Sequence, residues 1–231
     1  MSQTPFRILF AIYPGMTQLD FTGPYQFLKR WADAEVIVAS LKGGDVPADE
    51  LVFAQTAKLA EIDACDLICV PGGTNALDVA LDADFIAQIS RLAASARYIT
   101  SVCTGSLILG AAGLLKGRRV ACHWAWRELL PLFGAIPESG RVVRDGNLIT
   151  GGGVTAGIDF ALTLLAEIAG PDVAQSIQLG LEYAPAPPFH SGQPEDAPAN
   201  ILSAYQAQIS PLAAKRRAQA QDAADRLAAL N

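Results

Sequence analysis

Positive charge is scarce in this sequence. Of its 231 residues only 17 are lysine or arginine, against 23 aspartates and glutamates, so the formal net charge is -6. Non-specific binding to nucleic acid requires a broad positive field, which this composition does not supply. We therefore expect no nucleic-acid partner.

Long hydrophobic runs are also missing. No segment approaches the roughly 20 consecutive apolar residues that cross a bilayer. The opening segment MSQTPFRILFAIYPG lacks the basic stretch followed by a long apolar run that is typical of a secretory signal. These features predict a cytoplasmic protein with no membrane partner.

Histidine and cysteine are few, with two and four residues respectively. Their spacings do not match a zinc site, and a disulfide framework is untypical of a chain this long with 51% hydrophobic residues. The triplet Gly151-Gly152-Gly153 lacks the Lys-Ser/Thr ending of a phosphate-binding loop, and no GxGxxG follows the first strand. We expect neither a metal nor another cofactor.

The first half of the chain alternates apolar runs with helical stretches. The runs at 6–13, 35–41, 66–71 and 97–103 predict buried parallel strands. The segments at 22–31, 75–94 and 105–115 predict the connecting helices. This alternation indicates an α/β fold, with a mostly parallel sheet that has helices on both faces.

The second half is expected to complete this domain and add a tail. A short apolar run at 119–122 is followed by a predicted helix at 124–133, and Asp145-Gly146 indicates a hairpin. Helices are predicted at 154–169 and from Pro171 onward. The proline-rich segment 184–199 predicts a loop, and 201–230 predicts one or two amphipathic helices. We assign 1–190 to a catalytic domain and 191–231 to a linker and helical tail, which packs on the domain or on a dimer partner.

Cys103 is the strongest candidate for chemistry. It ends an apolar run, and the small residues Ser101 and Gly105 flank it two positions away on either side. This pattern suits a sharp strand-to-helix turn that presents a nucleophile, whose thiolate the backbone N–H groups at the helix start can stabilise. The alternative, that Cys103 is one more buried core residue, stays open from spacing alone.

Asp20 is a carboxylate between Leu19 and Phe21. It could be a turn or helix-capping residue before Gly23-Pro24. It could also reach the same sheet edge as Cys103 and exchange a proton with the thiol or with a substrate, since two neighbouring anions tend to share one proton.

Two further side chains have both structural and functional interpretations. The Thr104 hydroxyl could orient the Asp20 carboxyl, or satisfy backbone groups at the helix start. His123 could cap the helix that follows it, or approach Cys103 from a neighbouring strand.

Four segments carry a family resemblance: LDFTGP, CVPGGT, SVCTGSLILGAAGLLKGRRVACHWAW and GNLITGGGVTAGIDFAL. Over about residues 6–189 the sequence resembles the DJ-1/PfpI (ThiJ) superfamily, and within it the isocyanide hydratase branch. The resemblance implies a flavodoxin-like three-layer sandwich, a homodimer and a reactive cysteine at the position of Cys103.

The same resemblance implies hydration of a small isocyanide to an N-substituted formamide without a cofactor. Cys103 would attack the isocyanide carbon to form a thioimidate, Asp20 would act as general acid and base, and Thr104 would hold its carboxyl. We expect further substrate contacts from the glycines and side chains of the turns around the elbow, namely Gly72, Gly73, Phe21 and Val154.

This chain differs from other branches of the superfamily at two positions, and the differences argue against protease and glyoxalase activity. Protease-like members have histidine where this chain has Thr104, and the DJ-1 and glyoxalase branches have glutamate where it has Asp20. Two other classes remain: a redox-sensing or protein-protective protein that uses the same cysteine, and a ligand-sensing regulator. Only about 30 residues follow Ile201, which is too few for the paired DNA-binding units of such regulators.

Overall fold

A mostly parallel sheet forms the centre of the computed structural model, which describes residues 4–230. The strands are β1 (Phe6–Ala11), β2 (Ala34–Ser40), β3 (Gly44–Ala48), β4 (Leu51–Lys58), β5 (Leu67–Val70), β6 (Tyr98–Val102), β7 (Arg119–Ala121), β8 (Ile136–Glu138), β9 (Val142–Asp145) and β10 (Leu148–Gly151). Eight of them form one sheet in the order β3-β4-β2-β1-β5-β6-β10-β9, while β7 and β8 pair separately. Only the edge strands β3 and β9 run antiparallel to their neighbours.

Helices cover both faces of the sheet. They are α1 (Gln18–Leu28), α2 (Ala76–Ala80), α3 (Ala83–Ala93), α4 (Gly105–Ala111), α5 (Ala156–Ile168), α6 (Pro171–Gly180) and α7 (Ala199–Ala229), with 3-10 helices at Leu59–Glu61 and Trp124–Phe133. One layer contains α1, α5 and α6 in mutual contact, and the other contains α2, α3, α4 and α7. The predicted three-layer α/β sandwich is confirmed.

The four predicted strands are the core of the sheet because their apolar side chains are buried on both faces. Ile8, Leu9 and Phe10 of β1 are fully buried between β2 and β5. The carboxyl ends of β1, β5 and β6 meet at one edge, where open α/β sheets place their sites.

The predicted helix at 75–94 is two helices, α2 and α3. The break lies at Asp82, whose carboxylate accepts hydrogen bonds from the backbone N–H groups of Asp84 (3.0 Å) and Phe85 (3.1 Å). Asp82 is thus the N-cap of α3, and aspartate is one of the residues preferred at that position.

The β3–β4 hairpin was not predicted. Its two-residue loop is Asp49-Glu50, and both residues have positive φ (47° and 64°). Tight hairpin turns of this kind usually contain asparagine or glycine, so an Asp-Glu pair gives little sequence signal. The hairpin expected at Asp145-Gly146, in contrast, is confirmed as the β9–β10 connection, with Gly146 at φ 59°.

The segment predicted as a helix at 124–133 is a 3-10 helix that contains Pro131 and ends at Gly134, which has φ 70°. Proline removes a backbone donor, which hinders regular α-helical bonding. After it comes the short strand β8, which the sequence did not predict; β8 pairs in parallel with β7.

The C-terminal segment is one long helix, α7, which continues through Pro211. It contacts α2, α4 and the 3-10 helix Trp124–Phe133, and buries Ala220 and Ala223. Gln219 donates a hydrogen bond to Asp78 of α2 (2.6 Å). None of the helices within residues 4–230 combines the length and apolar character needed to cross a membrane.

Candidate active site

Cys103 occupies a sharp turn between β6 and α4. Its φ is 61°, in the left-handed region that residues with a Cβ adopt at a cost of about 1–2 kcal/mol. The backbone N–H of Cys103 is shared between the carbonyl oxygens of Gly151 (3.0 Å) and Gly152 (2.9 Å), which hold the turn in place. The predicted elbow is therefore present, and its backbone strain is concentrated at Cys103.

Small residues around the elbow allow the chain to pass close to its neighbours. A Cβ at Gly105 would collide with the carbonyl oxygen of Val70 at the end of β5. Ser101 is fully buried. Steric crowding thus explains why small residues lie two positions before and after Cys103.

Asp20 lies in the first turn of α1, which begins at Gln18, four residues before the predicted start. It is not the helix cap; Thr17 holds that position. Asp20 is fully buried, and its Oδ2 accepts a hydrogen bond from the backbone N–H of Gly72 (3.1 Å). Its Oδ1 has no hydrogen-bond partner within residues 4–230. A buried carboxyl oxygen without a partner is costly, which suggests a functional role.

Burial raises the pKa of Asp20 from 3.8 to about 7. Hydrogen bonds from the Cys103 side chain and from the Gly72 N–H oppose this rise, and the charge of Asp49 adds to it. A carboxyl in this range is protonated in a large fraction of molecules near neutral pH, so it can serve as an acid as well as a base.

The pKa of the Cys103 thiol is raised, mainly by burial and next by the negative charge of Asp20. The backbone N–H groups of Val154 and Thr104 hydrogen-bond to the sulfur and lower the pKa, but less than the other effects raise it. The expected donors are present, but they do not make Cys103 an acidic thiol while Asp20 is ionised. Protonation of Asp20 removes the second of these effects, so the thiolate forms more readily when Asp20 holds a proton.

The Thr104 hydroxyl bonds to Gly73, not to the Asp20 carboxyl as the sequence suggested. It accepts from the Gly73 N–H (2.9 Å) and donates to the Gly73 carbonyl oxygen (3.2 Å). Because Asp20 bonds to Gly72, the two side chains bind adjacent residues of one turn. Thr104 therefore acts on the Asp20 carboxyl indirectly, by fixing that turn.

Gly72 and Gly73 were expected to contact a substrate; Gly73 lines the space in front of Cys103, but neither glycine has a free N–H group. Both N–H groups have protein acceptors, Asp20 and Thr104 respectively. A Cβ at Gly72 would lie 2.7 Å from Oγ1 of Thr104 and 2.8 Å from Oδ2 of Asp20. The absence of a side chain is what allows both groups to approach this turn.

A cavity of about 200 Å³ opens in front of Cys103. Its wall comes from six parts of the chain: the α1 entry, the turn after β5, the elbow, the 3-10 helix, the α5 entry and α7. The lining residues are Thr17, Gly73, Thr74, Cys103, Thr104, His123, Trp126, Val154, Tyr205 and Arg216. Asp20 lies beside Cys103 but does not line this cavity. The volume suits one small organic molecule.

Of the two side chains predicted to line the pocket, the structure places one there. Val154 lies in the wall, with φ 22°, and its helix begins two residues later at Ala156. Phe21 is buried instead in an aromatic cluster, with its ring centroid 5.2 Å from that of Phe10 and 5.3 Å from that of Phe53. As the residue after Asp20 on a helix, it points in a different direction from Asp20.

His123 combines both expected roles. Its Nδ1 accepts a hydrogen bond from the Ala125 N–H (3.3 Å), which caps the 3-10 helix, and its ring lines the cavity. Burial, followed by the positive charge of Arg216, lowers the pKa of His123. The lowered pKa favours the neutral imidazole, and because Nδ1 accepts a hydrogen bond, the ring hydrogen lies on Nε2.

Arg216 and Tyr205 are cavity residues that the sequence did not identify as such. Both come from α7, which follows the proline-rich loop and lies far from Cys103 in the sequence. The one sequence feature that could have drawn attention to Arg216 is the Lys-Arg-Arg cluster at 215–217, on a helix with few other charges. Nothing in its spacing indicated that one of these cations faces Cys103.

Comparisons with known proteins are consistent with this geometry. The DJ-1/PfpI family model matches residues 6–167. A protein named isonitrile hydratase, from Pseudomonas putida, is 49% identical over 206 residues, which are 89% of this chain and 90% of that protein. Protein dj-1beta of Drosophila melanogaster is 27% identical over 182 residues, which are 76% of this chain and 96% of that protein.

A solved structure is also similar over nearly the whole chain. The crystal structure of a THiJ/PfpI family protein from Pseudomonas syringae has a TM-score of 0.89 and 40% identity, and the match covers 95% of this chain and 90% of that one. The family match covers the sheet, the elbow and most of α5, which together build the cavity around Cys103. The chain therefore belongs to the DJ-1/PfpI family.

Proposed function

We propose that this protein hydrates isocyanides to N-substituted formamides, with Cys103 as nucleophile and Asp20 as general acid and base. The observation that carries the proposal is the pairing of a buried carboxyl, with its pKa raised to about 7, and a strained cysteine that faces a small cavity. The identity to the isonitrile hydratase of Pseudomonas putida supports this reaction over others that a cysteine elbow could perform.

In the first step Cys103 is a thiolate and Asp20 holds the one proton of the pair, and the thiolate sulfur forms a bond to the terminal carbon of the isocyanide. The proton of Asp20 passes to the same carbon, because that carbon accepts a nucleophile only as its lone pair is protonated. The product is a thioimidate on Cys103, with Asp20 left as a carboxylate. The unpartnered Oδ1 of Asp20 is the oxygen available to carry the proton.

In the second step water adds to the thioimidate carbon. The Asp20 carboxylate accepts a proton from the water and passes it to the substrate nitrogen, which gives a neutral tetrahedral adduct. The carbon–sulfur bond then breaks, the formamide leaves, and the remaining proton returns to the Asp20–Cys103 pair. One water is consumed, and no cofactor is required.

The surrounding backbone stabilises the sulfur in this cycle. The N–H groups of Val154 and Thr104 hydrogen-bond to Cys103 and favour its thiolate, as attacking and as leaving group. Thr104 is a positioning residue in this scheme, because its hydroxyl holds Gly73 and thereby the turn that bonds Asp20.

The test is formamide production from p-nitrophenyl isocyanide by the wild type, Cys103→Ala, Asp20→Asn and a control, Cys65→Ala. Cys65 is also a buried cysteine, which lies two residues before β5 and does not line the cavity. We expect turnover by the wild type and by the Cys65 variant, none by Cys103→Ala, and a loss of about 10²- to 10⁴-fold in Asp20→Asn.

Two results would contradict the proposal: no turnover by the wild type, or an unchanged rate in Cys103→Ala. Intact-protein mass spectrometry during turnover adds a second measurement. An adduct of one isocyanide that disappears in Cys103→Ala identifies the covalent intermediate. Oxygen additions alone would favour a redox role of the cysteine.

We further propose that residues 1–190 form the catalytic domain of a homodimer, and that 191–231 serve it as a helical tail. Residues 1–3 and 231 of these ranges lie outside the described residues. Support comes from α7, which lies on the domain and contributes Tyr205 and Arg216 to the cavity wall. Sedimentation analysis of the full chain tests the dimer.

A further inference from the structure

Arg216 reaches from α7 into the wall of the Cys103 cavity. Its guanidinium carbon lies 4.1 Å from the centroid of the Trp126 ring, which fixes the side chain over an aromatic surface. The side chain is half-buried, and Thr74 and Tyr205 line the same cavity. The thiol of Cys103 and the positively charged guanidinium of Arg216 therefore line the same cavity.

This charge has no negative partner within residues 4–230. No carboxylate lies within ion-pair distance of Arg216, whereas Arg226 on the same helix pairs with Asp222 at 2.9 Å. Apart from burial, the largest electrostatic effect on Arg216 comes from Cys103 across the cavity and the next from Asp78 of α2. The Asp78 carboxylate accepts a hydrogen bond from Gln219. A half-buried guanidinium without a carboxylate partner keeps N–H donors available to a ligand in the cavity that it lines.

We propose that Arg216 binds an anionic group of the substrate, so that the preferred substrates are small isocyanides that carry a carboxylate. The inference rests on the proposed function and extends it to a substrate class. The isocyano carbon meets Cys103, and the carboxylate at the other end of the molecule meets the planar guanidinium, which suits two parallel hydrogen bonds. A cavity of about 200 Å³ is large enough for one aromatic ring between the two groups.

The kinetic test compares 4-isocyanobenzoate with 4-tolyl isocyanide, which replaces the carboxylate by a methyl group. The variants are Arg216→Met, which keeps an aliphatic chain over Trp126, and Arg216→Lys, which keeps the charge but not the planar fork. Arg217→Met is the matched control, because Arg217 is the exposed neighbour of Arg216 on the same helix.

We expect the wild type to prefer 4-isocyanobenzoate in kcat/KM by roughly 10- to 100-fold, the range of a charge-assisted hydrogen bond. Arg216→Met should abolish this preference, Arg216→Lys should retain part of it, and Arg217→Met should retain all of it. Equal loss on both substrates in Arg216→Met would mean that Arg216 only supports the fold of the wall. No preference in the wild type would also overturn the inference.

A binding measurement separates failure of this inference from failure of the hydratase proposal. The affinities of 4-formamidobenzoate and 4-methylformanilide for Cys103→Ala protein are measured by calorimetry, with and without Arg216→Met. If the carboxylate compound binds more tightly and only through Arg216, the inference stands even when no isocyanide is turned over. If both compounds bind equally, or neither binds, it is wrong whatever the enzyme assay shows.

Discussion

The Asp20 carboxyl and the Cys103 thiol are buried side by side, and each changes the proton affinity of the other. Ionised Asp20 raises the pKa of Cys103, while the Cys103 side chain, as a hydrogen-bond donor, lowers the pKa of Asp20. The two groups therefore titrate as a pair. Above a pH of about 7 the pair holds one proton, and below it the pair holds two.

This pairing predicts the pH dependence of turnover. The attacking form needs a thiolate and a protonated carboxyl, which is one of the two arrangements of the one-proton pair. We expect kcat/KM to rise with pH, with an apparent pKa near 7, and then to reach a plateau, because the pair loses its last proton only at much higher pH.

The control for this assignment is Asp20→Asn. With the carboxyl gone only the thiol titrates, so the residual activity should lack the inflection near 7 and rise at higher pH. An unchanged inflection in Asp20→Asn would assign it to another group. His123, whose pKa is lowered by burial, would then be the next residue to replace.

The free energy of unfolding should depend on pH through the titration of Asp20. Its pKa is about 7 in the folded state and about 4 when unfolded, so between these values the folded protein binds more protons. The stabilising effect is fully present below about pH 4 and is lost as the pH rises to about 7. Relative to Asp20→Asn, the wild type should lose about 4 kcal/mol of unfolding free energy across this window.

Urea unfolding of both proteins at pH 4 and pH 8 measures this difference. Other titrating groups contribute equally to the two proteins and cancel. A difference between the proteins that does not change with pH would show that folding does not raise the pKa of Asp20.

Thr104 offers a test of the turn that holds Asp20. Thr104→Val keeps the shape but leaves the buried N–H and carbonyl of Gly73 without the hydroxyl. We expect a loss of about 2 kcal/mol or more in stability, together with a lower kcat, since Asp20 bonds the adjacent residue Gly72.

Thr104→Ser is the matched control, because it restores the hydroxyl without the methyl group. It should recover most of the activity and most of the stability. If Thr104→Val instead matches the wild type in kcat, the hydroxyl has no part in positioning Asp20.

Much of the fold was predictable because the sequence patterns that indicate its strands and helices lie within single short segments. The buried strands that became β1, β2, β5 and β6 have continuous apolar runs, since both faces of a central parallel strand are covered. The β3–β4 hairpin was missed because its Asp49-Glu50 turn adopts positive φ without glycine or asparagine. The break between α2 and α3 was missed because Asp82 at a helix start resembles an exposed helical residue.

Residue type and short spacing were enough to predict the elbow at Cys103 and an acid between apolar neighbours at Asp20. The contacts that these two groups make depend on long-range packing. This packing buried Asp20 and bonded it to Gly72, which sets its pKa, and it placed Phe21 in the core. The fold also places Arg216 of α7 in the wall of the cavity, far from Cys103 in the sequence. This contact could not be predicted, because contacts between distant segments follow from packing and leave no local sequence pattern.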